Sequence, residues 1–260
     1  MSERLFTTES AAGVALVTVT RPKALNALNA EVQRQLLQEF AGLSADPEIR
    51  AILLTGDGEK SFIAGADISE FVDATPSDAI NLAKGTKRLI DAISGCPKPV
   101  IAVINGYCFG IGMEVALACD LRVASRKAQL GLPEIKLGIL PGGGGTVRLT
   151  KLAGSSVAKM MAMTGEPISA ERAFELGLVA AVHEPEQLLE AARALASKLA
   201  SYSPFAMTQL KSSLSTAIDA DTESACEAEI KAFALCYSTA DQKEGARAFL
   251  EKRKPVFTGR

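Results

Sequence analysis

Residues 100–121 read VIAVINGYCFGIGMEVALACDL, and the reading of this run decides the fold. Its length and apolarity match a membrane span of about 20 residues. Its content does not, because Asn105, the glycines at 106, 110 and 112, Glu114 and Asp120 all stand inside it. A carboxylate at mid-span is expensive in lipid, on the order of 3 kcal/mol even on insertion scales. The run divides instead into a β-branched piece, Val100–Ile104, a glycine-punctuated turn and a helix-like piece, Met113–Ala118. That predicts a buried strand–turn–helix.

Outward from this run, strand-like and helical patterns alternate. Val14–Thr20 alternates as a strand and is closed by Arg21-Pro22. Asn26 or Asn29 stands where it can cap a helix carrying Leu36, Leu37, Phe40 and Leu43 on one face. Ala51–Thr55 is a short apolar strand ending at Gly56-Asp57-Gly58, and a helix is expected from about Ser77 to Ile93. Leu121–Ala124, Gln129–Leu132 and Leu178–His183 are strand-like. Such alternation predicts an α/β fold with parallel strands. After Pro204 the pattern changes to three amphipathic helices, Met207–Ile218, Glu223–Tyr237 and Asp241–Lys252. A boundary near residue 200 therefore separates a βαβ core, 1–200, from a helical C-terminal region, 201–260; the sequence shows no internal repeat.

Composition narrows the function classes. With 48% hydrophobic and 22% charged residues in 260, the chain is that of a packed globular protein. The net charge is -2 and the only basic cluster is Lys252-Arg253-Lys254, so no nucleic-acid partner is expected. Met1-Ser2-Glu3-Arg4 opens neither a signal peptide nor an amphipathic leader. Cys96, Cys108, Cys119, Cys226 and Cys236 are odd in number and lack a C-x-x-C pair, which reads as small hydrophobes in a reducing, cytoplasmic setting. His183 is the only histidine, so no multi-histidine metal cluster can form; its strand-like context points to a structural or exposed role. Pro141–Thr146, PGGGGT, lacks the lysine of a phosphate-binding loop. In Phe109–Val115 the third glycine of a dinucleotide fingerprint is replaced by Val115.

Proton chemistry must therefore fall to carboxylates, hydroxyls, lysines or backbone groups. Glu114 is the only formally charged side chain between Lys98 and Asp120. Apolar burial should raise its pKa toward a value useful for proton transfer, unless it reaches solvent or a buried arginine. Glu134, twenty positions on, leaves a strand-like segment at the turn set by Pro133. Brought together, the two would form an acid/base pair. Phe62–Ile68 and Gly110-Ile111-Gly112 bring small residues to turns, the second at a helix start. Each alone is equally an ordinary tight turn. Converging on one carbonyl oxygen, their N–H groups would form an oxyanion hole.

Taken in order, RPKALNAL (21–28), FIAGADI (62–68), VINGYCFGIGMEVALACD (103–120), GLPEIKLGILPGGGGTVRL (131–149) and EKRKPVF (251–257) resemble the crotonase, or enoyl-CoA hydratase/isomerase, superfamily across essentially the whole chain. The resemblance implies an α/β crotonase-like spiral of ββα units, with the helical C-terminal region used for trimer contacts and trimers often paired into hexamers. It implies an oxyanion hole from the N–H groups of Ala66 and Ile111, the latter standing where the family usually has glycine. Lys23, Ala24, Leu25, Ala64, Ala66, Asp67, Ile68 and Gly110 match positions around bound acyl-CoA, and Phe249 and Lys252 match residues that reach CoA from a neighbouring subunit. Glu114 and Glu134 match both acids of the hydratases, whereas the isomerases typically retain the equivalent of Glu134 alone. The implied activity is hydration of a trans-2-enoyl-CoA thioester to a 3-hydroxyacyl-CoA, without metal or cofactor, in fatty-acid or related acyl-CoA catabolism. The alternatives are a double-bond isomerase and a catalytically silent acyl-CoA binder. Ile111, Met113, Phe71 and Phe109 would shape the acyl pocket.

Overall fold

A two-residue turn starts the architecture. Ala12 and Gly13 both adopt positive φ, the backbone that matches hairpin twist, and fold Phe6–Ala11 (β1) antiparallel onto Val14–Val19 (β2). The computed structural model describes residues 5–260, so the leader reading at Met1–Arg4 lies outside the described residues. Strand β1 escapes sequence reading because this edge strand has one buried apolar residue, Phe6, in an otherwise polar run.

From β3 onward a unit repeats: a long strand, a short strand and, in the first two copies, a helix directly after. The units are Ala51–Gly56 (β3), Ser61–Ile63 (β4) and helix Pro76–Ser94; then Val100–Ile104 (β5), Tyr107–Phe109 (β6) and helix Ile111–Ala118; then Leu121–Ser125 (β7) and Gln129–Gly131 (β8). The long strands, with Ala181–His183 (β10), form a six-stranded sheet ordered β1-β2-β3-β5-β7-β10, parallel from β2 onward. The short strands form a second sheet, β4-β6-β8 parallel, closed by antiparallel Ile168–Ser169 (β9). This is the ββα spiral. Its repeat lies in geometry and not in residue identity, which is why the sequence shows none. β3 and β5 are buried at every position, as strands covered on both faces must be.

Local chemistry sets the helix starts. The Asn29 side chain accepts the Val32 N–H and caps Ala30–Ala45 (α1), which settles the choice between Asn29 and Asn26. Thr75 and Asp78 form a capping box ahead of Pro76–Ser94 (α2). The helix Ile111–Ala118 (α3) is buried at all eight positions. The run 100–121 is thus β5, β6 and α3, and no helix among the described residues is long and apolar enough to cross a membrane. Gly145–Ala153 (α4), Ser155–Thr164 (α5), Ala170–Glu175 (α6) and Pro185–Ala200 (α7) follow, in a stretch where sequence reading singles out no helix. Leu188, Ala192 and Ala196 of α7 cover one face of the large sheet against Leu16, Leu53, Ile101 and Val123. Phe40, Leu89, Ile90 and the apolar residues of α3 belong to the core on the other. Past Ala200 the chain holds only helices, Pro204–Asp219 (α8), Thr222–Cys236 (α9) and Ala240–Leu250 (α10); α8 and α9 bury no residue.

Candidate active site

The register of the short sheet builds the site. Ile63 of β4 pairs with Cys108 of β6, and Phe109 pairs with Gly131 of β8. Three parallel strands therefore end side by side and release Ala64–Ala66, Gly110–Glu114 and Leu132–Glu134 at one edge, where α/β folds place their ligands. Two glycines let these segments close up. A Cβ on Gly112 would lie 2.0 Å from the Ile63 carbonyl oxygen, so α3 starts flush against β4. Gly110 takes φ +53°, and a Cβ there would stand 3.1 Å from Glu134 Oε1 and 3.8 Å from Gly65 Cα. All three segments meet at that point.

Two backbone N–H groups of the converging segments have no backbone partner among the described residues. Ile111 is the first residue of α3, where an N–H has no partner within the helix. The neighbouring N–H groups are engaged: Gly110 donates to Gly131 O, Ala64 to Leu25 O and Asp67 to Leu28 O. Those of Ala66 and Ile111 donate to no backbone carbonyl among the described residues.

The acids sit in unlike surroundings. Glu114 is 3% exposed, and its Oε1 accepts the N–H of Gly143 at 2.8 Å and of Gly145 at 2.9 Å. Burial raises its pKa, opposed by these two donors and by the Arg148 guanidinium. Glu134 lies in the 3-10 turn Pro133–Leu137. Burial lifts its pKa to about 7, its own N–H opposes the rise, and the charge of Glu114 adds to it. Its Oε2 is buried without a hydrogen-bond partner among the described residues.

A model of the enoyl-CoA hydratase/isomerase family matches residues 9–260. The chain belongs to this family. It is similar to the short-chain-enoyl-CoA hydratase of Clostridium acetobutylicum, 42% identical over 241 residues, covering 93% of this chain and 92% of that protein. The 2,3-dehydroadipyl-CoA hydratase of Escherichia coli is 40% identical over 247 residues, with 95% and 96% covered. The crystal structure of an enoyl-CoA hydratase from Bacillus anthracis superposes with a TM-score of 0.96 at 35% identity, covering 98% of this chain and all of that one.

The glycine-rich segment PGGGG (141–145) has a structural role that sequence reading missed when it set aside a phosphate loop. Its N–H groups at the start of α4 cradle a carboxylate instead of a phosphate. A Cβ on Gly143 would fall 2.6 Å from Glu114 Oε2 and 2.5 Å from Thr86 Cγ2. The available signal was a glycine run opening a helix, with a buried acid still lacking donors.

The other predicted positions divide. Lys23, Ala24 and Leu25 form an exposed turn stitched to the site: Leu25 O accepts from Ala64 N and Ser61 Oγ, and Leu28 bridges Ala66. Ile68 is half-exposed beside them. Asp67 does not offer a free carboxylate. It accepts from the Ser69 hydroxyl at 2.8 Å and pairs with Arg21 at 3.3 Å, and both interactions hold its pKa below the usual carboxylate range. Phe249 and Lys252 are exposed at the C-terminal end of α10, and no hydrogen bond or ion pair among the described residues joins either to the acids. His183 lies in β10 and its carbonyl accepts the Arg126 N–H. A cavity of about 540 Å³ between α1 and α2, lined by Gln33, Arg34, Leu37, Leu82, Gly85 and Arg88, holds neither acid.

Proposed function

We propose that this chain is an enoyl-CoA hydratase, adding water across the 2,3 double bond of a trans-2-enoyl-CoA to give a 3-hydroxyacyl-CoA. The opposed hydrogen bonding of the two acids carries this reading. A carboxyl group can accept two N–H bonds on one oxygen most favourably when ionised, so Glu114 is the carboxylate of the pair. Glu134, with a partnerless buried Oε2 and a pKa near 7, is the neutral acid. The two titrate as one coupled unit.

The thioester oxygen accepts the N–H groups of Ala66 and Ile111, which withdraw charge from the conjugated alkene. Water held between the acids bonds through oxygen to C3 and gives one proton to Glu114. The electron pair moves onto the thioester as an enolate, and C2 then takes the proton of Glu134. Net, one water is added; the proton on Glu114 returns to Glu134 before the next turnover. Fixed dipoles and two carboxyl groups suffice, without metal or cofactor.

Lys23, Ala24, Leu25, Ala64, Ala66, Asp67, Ile68 and Gly110 line the CoA path in this reading, Asp67 through its backbone. Residues 201–260 act as the assembly unit of a trimer or a dimer of trimers. In support, Leu210, Leu214 and Ile218 form an exposed stripe on α8, and Ile230 and Phe233 another on α9. Unburied helices with apolar stripes call for a covering surface. Phe249 and Lys252 would reach a neighbour's CoA from that unit. Thiol cysteines, three of them buried, fit a cytoplasmic enzyme of acyl-CoA catabolism.

Loss of enoyl-thioester absorbance with crotonyl-CoA tests the reading. Glu114→Gln and Glu134→Gln should each lower the rate by about 100- to 10,000-fold with CoA binding intact. Wild type that binds crotonyl-CoA without hydrating it, or that only shifts a 3-enoyl double bond without taking up solvent oxygen, overturns it.

A further inference from the structure

Helix α3 delivers both Ile111 and Glu114, yet all eight of its residues are buried, so its C-terminal carbonyls cannot turn to water. Such orphan carbonyls require partners. The Cys119 N–H meets those of Val115 and Ala116, and Arg122, at the start of β7 and only 8% exposed, adds a charged donor at this end. Its Nη1 donates to Cys119 O at 2.7 Å and to Ala116 O at 3.2 Å, and its Nε donates to Leu178 O at 2.6 Å. No carboxylate forms an ion pair with this guanidinium among the described residues. The adjacent Asp120 carboxylate accepts instead from Lys211 Nζ at 2.7 Å and from Val100 N at 2.8 Å.

A buried cation without a counter-ion is ordinarily destabilising. Here carbonyls at the negative end of a helix stand where a direct ion-pair partner would, while the Asp120 charge acts on the guanidinium from beyond ion-pair distance. An eight-residue helix is only about 12 Å long, so the charge at one end is felt at the other and the element moves as a rigid rod. We propose that Arg122 is a positioning residue for the hydration reaction: it locks α3 axially against Leu178 O and adds positive potential behind the Ile111 N–H, where enolate charge develops. This rests on the hydration reading above. Arg122 contacts no substrate and acts through α3.

The test uses Arg122→Gln and Arg122→Lys in the full-length protein, with crotonyl-CoA turnover and the absorption band of bound cinnamoyl-CoA. Conjugated thioesters absorb further to the red when their carbonyl is polarised, so the band reports the hole without turnover. Arg122→Gln removes the charge and should lower kcat by about 30-fold, the most a helix-end cation contributes, with KM little changed and a smaller red shift. Arg122→Lys keeps the charge but cannot bond Leu178 O and the α3 carbonyls together; it should recover part of both kcat and the shift. Folded variants with lower melting temperature but wild-type kcat and band position would reduce Arg122 to a structural role and overturn the proposal. So would failure of both variants to fold, which would place the whole effect in stability. If wild type itself does not hydrate crotonyl-CoA, the underlying reading fails instead, and the two failures are distinct.

Discussion

A single methyl group at Gly143 should disable the enzyme while leaving it folded. The Cβ of Gly143→Ala would lie 2.5 Å from Thr86 Cγ2, 2.6 Å from Glu114 Oε2 and 2.9 Å from Ile90 Cδ1. No flexible surface end can absorb all three contacts, since Thr86, Ile90 and Glu114 are themselves buried. Restoring an ordinary contact with Oε2 moves the carboxylate by about 1 Å, which stretches the 2.8 Å bond from Gly143 N beyond hydrogen-bond range. A displacement of that size costs about 100-fold in rate, or about 2.7 kcal/mol of barrier. Overpacking adds about 1–3 kcal/mol of destabilisation, a fall of about 4–8 °C in Tm at the midpoint of that range. The lost donor favoured the ionised form of Glu114, so its pKa rises further and the acid limb of the kcat–pH profile moves to higher pH. Gly142→Ala is the control: its Cβ meets only Ala83 Cβ, at 3.4 Å, and stability should change by no more than about 0.5 kcal/mol. Kinetics of both variants with crotonyl-CoA from pH 5 to 9, beside thermal melts, make the comparison. Wild-type kcat and an unmoved acid limb in Gly143→Ala would refute the claim that the glycine cradle holds the base.

Two further outcomes follow from the same geometry. Glu134 titrates near 7 when folded against an ordinary 4.5, so the folded state holds its proton more tightly and ionising it lowers stability. That loss is absent below about pH 4.5, grows through pH 7 and is constant above; melts should show Glu134→Gln gaining on wild type across that window, and a pH-independent difference would contradict it. Asn26 is fully buried at φ +58°, accepting from Arg21 N and donating to Asp57 O and Ser61 O. Asn26→Ala should destabilise by about 3 kcal/mol and raise KM through the neighbouring turn, whereas Asn26→Gly, at ease in the left-handed region, should lose about 1 kcal/mol less. Equal melting temperatures for the two would remove the conformational part of the argument.

The inner strands β3 and β5 were legible because they are continuous apolar runs, and the start of α1 was legible to within the choice of Asn26 or Asn29 as its cap. The short strands β4, β6 and β8 were only partly legible. Three residues carry too little periodicity, and their pairing is non-local. Glu114 declared itself as a lone charge in an apolar run. Its partners did not, because Gly143 and Gly145 act through backbone N–H groups that any residue type carries, and only the packing excludes a Cβ. Arg122 was silent for the same reason: a lone arginine in a strand gives no sign that it bonds helix-end carbonyls.

The chemistry therefore depends less on having two glutamates than on making them different. Side-chain type is identical at 114 and 134, and both are pushed up by burial. What separates them is register. β6 pairs with β8 so that Phe109 faces Gly131, which sets the start of α3 beside the turn carrying Glu134. The α4 entrance then reaches Glu114, and no hydrogen bond among the described residues reaches Glu134 Oε2. A one-residue slip of β8 would turn its side chains to the opposite face and carry the turn away from Gly110. Both acids would survive such a slip in sequence, but the asymmetry on which the proposed base and acid roles rest would be lost. The two-carboxylate motif marks a hydratase only together with the short sheet that fixes this register.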